Sequence, residues 1–478
     1  MKHDLQHRSR AHFAWAGLLA ATVAPAVLAS PPLPADALPG GQTTVHATGR
    51  TAFSFPLANL GDAERTRFVV GNSFFRRNWV EAPASTTARD GLGPHFIARS
   101  CGGCHVQDGR GAPPEFRKGL HDAPVSLLFR LSVPGTDVHG GIVPEPTYGD
   151  QLDNNAVQGV QPEGQIDIRY RKVQVRLKDG TRHTLLHPTY RLRDLAYGPV
   201  VPGTMVSPRI APQLIGVGLL EAIAEADIET NVREQAARPD AIKGQTNRVW
   251  DVFAQRVVIG RFGWKANVGT LAHQTAGAFL GDIGITSPPF PRQACTAAQE
   301  DCLQAPAGGH GEQTEIDANT LEDVVFYQAA LAPPARRQPG HPEVIRGQRL
   351  FQQAHCAACH RPSYTTATPL FPRMSSPAVV GQTIWPYTDL LVHDMGDGLA
   401  DHRPDGRASG RHWKTPPLWG IGLIHDVNGH TRLLHDGRAR NVTEAILWHG
   451  GEAQASRDFF ARLTAAERSA LVRFVESL

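Results

Sequence analysis

The chain has 478 residues, 41% hydrophobic and 19% charged, with a formal net charge of +3. That balance is ordinary globular material, long enough for two or more domains, and it gives no case for nucleic-acid binding. Abundant Gly (47) and Pro (37) favour loop-rich folds wrapped around cofactors over long idealised bundles.

At the amino terminus Lys2, Arg8 and Arg10 precede an apolar run from Ala14 to Leu28, with Val27-Leu28-Ala29 before Ser30. This pattern predicts a cleaved signal peptide over residues 1–29 and export to the periplasm. The run is short for a membrane span, although an uncleaved anchor is the alternative, and no later segment is apolar for long enough. The mature chain is therefore expected to lack a transmembrane segment.

Cys-Gly-Gly-Cys-His at 101–105 returns as Cys-Ala-Ala-Cys-His at 356–360. Two thiols three positions apart can form thioethers with the vinyl groups of one haem, and the histidine that follows can coordinate its iron. One copy could be a zinc half-site or a redox dithiol. Two copies, both ending in His and both behind an export signal, predict two covalently bound haems c, held by Cys101, Cys104 and His105 and by Cys356, Cys359 and His360.

Between the motifs, Ile166, Ile168 and Tyr170 alternate, as do Val173, Val175 and Leu177, before a Lys178-Asp179-Gly180-Thr181 turn. These predict a small β insertion at about residues 122–200, with His183 and His187 on the return strand as ordinary strand histidines. Cys295 and Cys302 are read as a short structural disulfide; a redox-active pair is the sharper alternative, which their spacing does not favour. A helical stretch at 320–331 leads to a Pro-punctuated linker, and a helix from Glu343 carries Val344, Gly347 and Phe351 into the second motif. Thr464 and Glu467 form a capping box before a closing amphipathic helix.

The halves also repeat. Pro212, Leu214, Gly216, Gly218 and Leu219 reappear as Pro416, Leu418, Gly420, Gly422 and Leu423, each set downstream of its own CxxCH. The expectation is a mainly α protein of two cytochrome c-like domains, residues 30–340 with the β insertion and residues 341–478. Extending the duplication lays Trp264 on His435, Leu271 on Val442 and Ala278 on His449.

Longer strings, among them "DGLGPHFIARSCGGCH", "SPRIAPQLIGVGLLEAI", "GRFGWKA", "WKTPPLWGIG", "LLHDGRA" and "EAILWHGGEA", make the specific case. Across nearly the whole mature chain the sequence resembles the di-haem oxidoreductases of the bacterial di-haem cytochrome c peroxidase and MauG superfamily. Its nearest likeness there is the longer putative-peroxidase branch, also labelled thiol oxidoreductase. The resemblance implies an enzyme that meets hydrogen peroxide or a similar oxidant at one haem and takes electrons from a small redox protein at the other. A pure electron-transfer cytochrome and a MauG-like oxidase of a protein partner are the alternatives.

Residue by residue, the resemblance makes Trp264 the bridge between the haems and Gln274 the peroxide-pocket amide. The family's acid stands ten residues beyond that Gln, whereas this chain offers Asp282 at only eight, as the general acid–base group. After "HDG" the sixth ligand of the second haem falls at His449, with Met395 as its competitor at a spacing used by simpler cytochromes. Ala278 opposite His449 in the duplication would leave the first haem open, unless His95, His121, His139 or His273 closes it. Calcium between the halves is common in the resembling enzymes, but no Asp/Asn run here locates it.

Overall fold

The structure is a computed structural model that describes residues 34–86, 88–114, 126–309 and 313–478. The predicted signal peptide and His121 lie outside the described residues. None of the described helices is long and apolar enough to cross a membrane.

Two helix crossings organise the chain. The helix Asp62–Arg76 packs on Ala318–Ala329, and Pro342–Gln353 packs on Ala465–Ser477. In both, a glycine sits at the contact. A Cβ on Gly71 would overlap the Asp323 carbonyl, and one on Gly347 would overlap the Ala470 carbonyl. The repeat goes further. Gly216 and Gly420 have φ of 69° and 71° and open matching helical turns, while Gly218 and Gly422 press against the Ala329 and Glu476 carbonyls. The shared glycines in the sequence thus mark the same close approach made twice. The expected capping box closes the last helix start: Thr464 N donates to Glu467 Oε2 (2.9 Å) and Glu467 N to Thr464 Oγ1 (3.3 Å).

The expectation of a mainly α protein of two cytochrome c-like domains is overturned. The chain is 32% helical and 18% strand, and its described strands form six two-stranded antiparallel sheets, so the fold is mixed α/β. The predicted hairpin is there, Gln165–Arg176 paired with Arg182–Arg193, with Ile166 and Ile168 buried. The strands that periodicity did not show are short and paired at long range. Leu127–Ser132 pairs with Met205–Ile210, and Val392–Asp394 with His412–Lys414. Stretches that read as Gly- and Pro-rich loops satisfy their backbone by pairing with one another. The expected linker also differs, because Ala332, Pro333 and Pro334 are buried and Val45 N donates to Pro333 O. One continuous apolar core runs from Ala52 to Leu478.

The hairpin reaches across to residues near the second motif. Tyr190 OH donates to Asp436 Oδ2 (2.8 Å), Arg468 Nη2 pairs with Asp179 Oδ2 (2.6 Å), and Lys178 N donates to Ala461 O (3.2 Å). Cys295 and Cys302 form a disulfide, as read from their spacing.

Candidate functional site

The first CxxCH occupies a single helical turn, Cys101–Cys104, whose carbonyl at Cys101 accepts from His105 N (2.9 Å). That turn places both cysteines and the imidazole on one wall of a cavity of about 590 Å³. Gln274, Ala278 and Asp282 line the same cavity. The Leu271–Ala278 helix runs on as a π-helical turn, Phe279–Ile283, and the wider turn rotates less per residue. Asp282 therefore reaches the cavity from eight residues beyond Gln274. Arg130 Nη2 lies 3.7 Å from Asp282 Oδ1. Burial raises the Asp282 pKa, which Arg130 only partly offsets.

The second motif walls a smaller cavity of about 180 Å³, lined by Cys356, Cys359, His360, Met395, His435 and His449. Both competing ligands thus reach the same space. Three imidazoles share one arrangement. Nδ1 of His105 meets Pro212 O (2.8 Å), Nδ1 of His360 meets Tyr387 O (2.9 Å), and Nδ1 of His449 meets Ala445 O (2.7 Å). A carbonyl accepts only from N–H, so each ring keeps its proton on Nδ1 and turns the Nε2 lone pair elsewhere, as metal-binding histidines do. Burial pushes His360 down to about 4, with His449 adding to the effect.

Between the cavities stands Trp264, which lines both. Its Nε1 donates to Ile210 O (2.8 Å), and its own carbonyl accepts from Lys414 N (2.8 Å). The buried Arg110 guanidinium lies 5.1 Å from the indole centroid. The next residue, Lys265, is fully buried with Asp401 (Nζ–Oδ1 3.0 Å), and its ammonium also donates to Ser409 O and His412 O. The duplication holds at the site: Leu271 and Ala278 line the first cavity where Val442 and His449 line the second.

The profile of the family described as di-haem oxidoreductase, putative peroxidase, matches residues 35–478. The chain belongs to that family. No curated protein and no solved structure gives a significant match.

A di-haem oxidoreductase needs two sites of one kind, and the donor sets fit: each cavity offers a CxxCH with an imidazole Nε2 left available. His435 supports the fit at the second. It is 3% exposed, stacked on Trp413 at 3.7 Å, and its Nε2 has no hydrogen-bond partner. Burial pushes the Cys101 and Cys356 thiols up to about 12, so neither pair is poised as a thiolate for dithiol chemistry. Cys359, Asp389 and His393 lie within 4.8 Å of one another; Cys359 belongs to the second CxxCH, and it and His393 line the second cavity.

Of the histidines considered for closing the first site, His139 and His273 line its cavity. His139 stacks on Trp250 (4.1 Å) and His273 Nδ1 lies 3.6 Å from Asp251 Oδ2. His95 points elsewhere, to Gln161 O and Tyr197. Sequence reasoning missed Arg110, Arg130, Lys265 and His435. Only His435 carried a signal, through its alignment with Trp264.

Proposed function

We propose that this di-haem oxidoreductase is a periplasmic peroxidase that reduces hydrogen peroxide at the first cavity with electrons entering at the second from a small redox protein. Cys101, Cys104 and His105 would hold one haem c and Cys356, Cys359 and His360 the other, and the two would supply one-electron chemistry. The observation that carries the reading is Trp264, which lines both cavities with an acid–amide pair on one side only.

Gln274 orients the peroxide by hydrogen bonding without ligating metal, and Asp282, whose pKa is raised, moves the protons. Ala278 offers no donor atom, which keeps the first site open. His449 closes the second, its Nδ1 proton anchored on Ala445 O and its Nε2 available, while Met395 packs beside it. Trp264 offers a covalent and π path in place of a longer jump through space.

Low-temperature EPR of the ferric protein tests this. One high-spin and one low-spin signal are expected, with His449→Ala removing the low-spin signal and Met395→Ala leaving it. Two low-spin signals together with no peroxide consumption after half-reduction would replace this reading with an electron-transfer cytochrome.

A further inference from the structure

The first cavity reaches solvent at a rim that has no part in the chemistry above. Asp137, His139, Gly140 and Arg248 line the cavity and are exposed, and Trp250 beside them is partly buried. A residue that both lines a cavity and meets solvent stands at its mouth. Two elements come together there. Residues 134–142 follow the Leu127–Ser132 strand, and Trp250 lies on the Arg248–Asp251 strand, which pairs with Arg256–Ile259. The rings of His139 and Trp250 stack at 4.1 Å with 11° between their planes. That is van der Waals contact, so no molecule passes between them.

The loop holds its own shape and little else. Asp137 Oδ1 accepts from His139 N (2.8 Å) and Gly141 N (2.7 Å), Asp137 N donates to Gly141 O (3.2 Å) and Gly140 N to Asp137 O (3.1 Å). At its base Val133 N donates to Val143 O (3.0 Å). Among the described residues, no hydrogen bond or ion pair ties residues 135–141 to anything outside them. Val138 is 95% exposed, and a Cβ on Gly140 would meet nothing within 4 Å. The tip is therefore fixed internally, anchored at Val133 and Val143, and joined to the rim through the His139 ring. One ring contact at an exposed position is weak and can open without disturbing the core.

Trp250 adjoins the wall that carries Gln274. Its neighbour Asp251 accepts from Thr270 Oγ1 (2.7 Å) and lies 3.6 Å from His273 Nδ1. Thr270 in turn caps the Leu271–Ala278 helix by accepting from His273 N (3.2 Å). The stack thus stands on the amide side of the cavity.

We propose that His139 and Trp250 form a size filter at the mouth of the first cavity, which admits hydrogen peroxide and turns away bulky organic hydroperoxides. The inference rests on the peroxidase reading for the identity of the oxidant. Hydrogen peroxide is little larger than water and passes beside the closed pair. A hydroperoxide bearing an aryl group has to part the rings and displace the loop. The filter is steric: the stack decides what enters, and Gln274 and Asp282 act on what has entered.

The test compares ligands of two sizes at the ferric first haem of the holoprotein, with no turnover required. Cyanide or 4-phenylimidazole is mixed with the protein and binding is followed by stopped-flow absorbance. Wild type should bind cyanide readily and 4-phenylimidazole slowly. His139→Gly and Trp250→Ala should each raise the ratio of the 4-phenylimidazole rate to the cyanide rate by at least about tenfold, the scale on which a pocket reads size. Trp250→Phe, which keeps a flat ring for His139, should hold the ratio near wild type, a split that a merely structural role would not produce. For cumene hydroperoxide against hydrogen peroxide, the ratio of kcat/KM values should shift the same way. An unchanged ratio in both His139→Gly and Trp250→Ala would overturn the filter, as would a wild type that takes both ligands equally fast or neither. A ratio that shifts as expected in a protein that ignores peroxide would sink the peroxidase reading and leave the filter standing.

Discussion

Lys265 and Asp401 offer the sharpest energetic test. Both side chains are fully buried, and the ammonium makes three contacts: Asp401 Oδ1 at 3.0 Å, Ser409 O at 2.9 Å and His412 O at 3.1 Å. The indole of Trp413 lies 4.2 Å beneath it. Lys265→Met keeps the stem but leaves two carbonyls and a carboxylate without their cation. Breaking one side of a buried pair costs about 3–5 kcal/mol. Asp401→Asn should cost less. Burial already pulls Lys265 down to about 8 while Asp401 holds it up, so without the carboxylate the lysine sheds its proton near neutral pH instead of staying charged. The double variant should recover about 2–3 kcal/mol relative to the sum of the singles, since the larger penalty comes from an unpaired charge. Urea unfolding of the ferric holoprotein, followed by far-UV circular dichroism, gives all three free energies. Single losses below about 1 kcal/mol, the range of exposed ion pairs, or strictly additive singles would refute the argument.

Gly71→Ala and Gly347→Ala should each destabilise by about 1–3 kcal/mol in urea unfolding, because the new methyl meets a backbone carbonyl that cannot rotate away. Asp153 keeps its proton on folding up to about 8, so stability is greatest below its unfolded pKa and is lost as pH rises toward 8. Asp153→Asn should therefore match wild type only at or below about pH 4, and its advantage in denaturant midpoint should grow from there to about pH 9. Replacing Cys295 and Cys302 together by Ser removes a loop closure across 7 positions and should cost about 2–3 kcal/mol, read the same way.

The two CxxCH motifs that wall the two cavities were legible because their spacing is local. Cys101 to His105 and Cys356 to His360 are contiguous, and Gly216 and Gly420 repeat because a helix end must pass close to a carbonyl twice. The hairpin was legible from the alternation of Ile166, Ile168 and Tyr170. What escaped is non-local. The Leu127–Ser132 strand finds its partner at Met205–Ile210, far along the chain, and neither has a turn signal linking them. The helical emphasis of the sequence reading came from the haem motifs, which say nothing about how intervening loops satisfy their backbone. Asp153, Glu163 and His95 looked like scattered polar residues, since only folding brings them together. His449 and Met395 could not be separated by spacing because both spacings deliver a side chain to one cavity.

The long hairpin from the first half has a consequence for how the protein can be cut. Its tip and flank are tied by Asp179 to Arg468, by Thr184 to Arg440 and by Tyr190 to Asp436, all beside the wall of the second cavity. A fragment beginning near residue 341 would keep Cys356, Cys359, His360 and His449 and lose the hairpin tied to Asp436, Arg440 and Arg468. The carboxyl half is therefore a tenant of the amino half rather than a portable cytochrome module. Shuffling it into another protein would carry the second CxxCH without the hairpin its neighbours are bonded to.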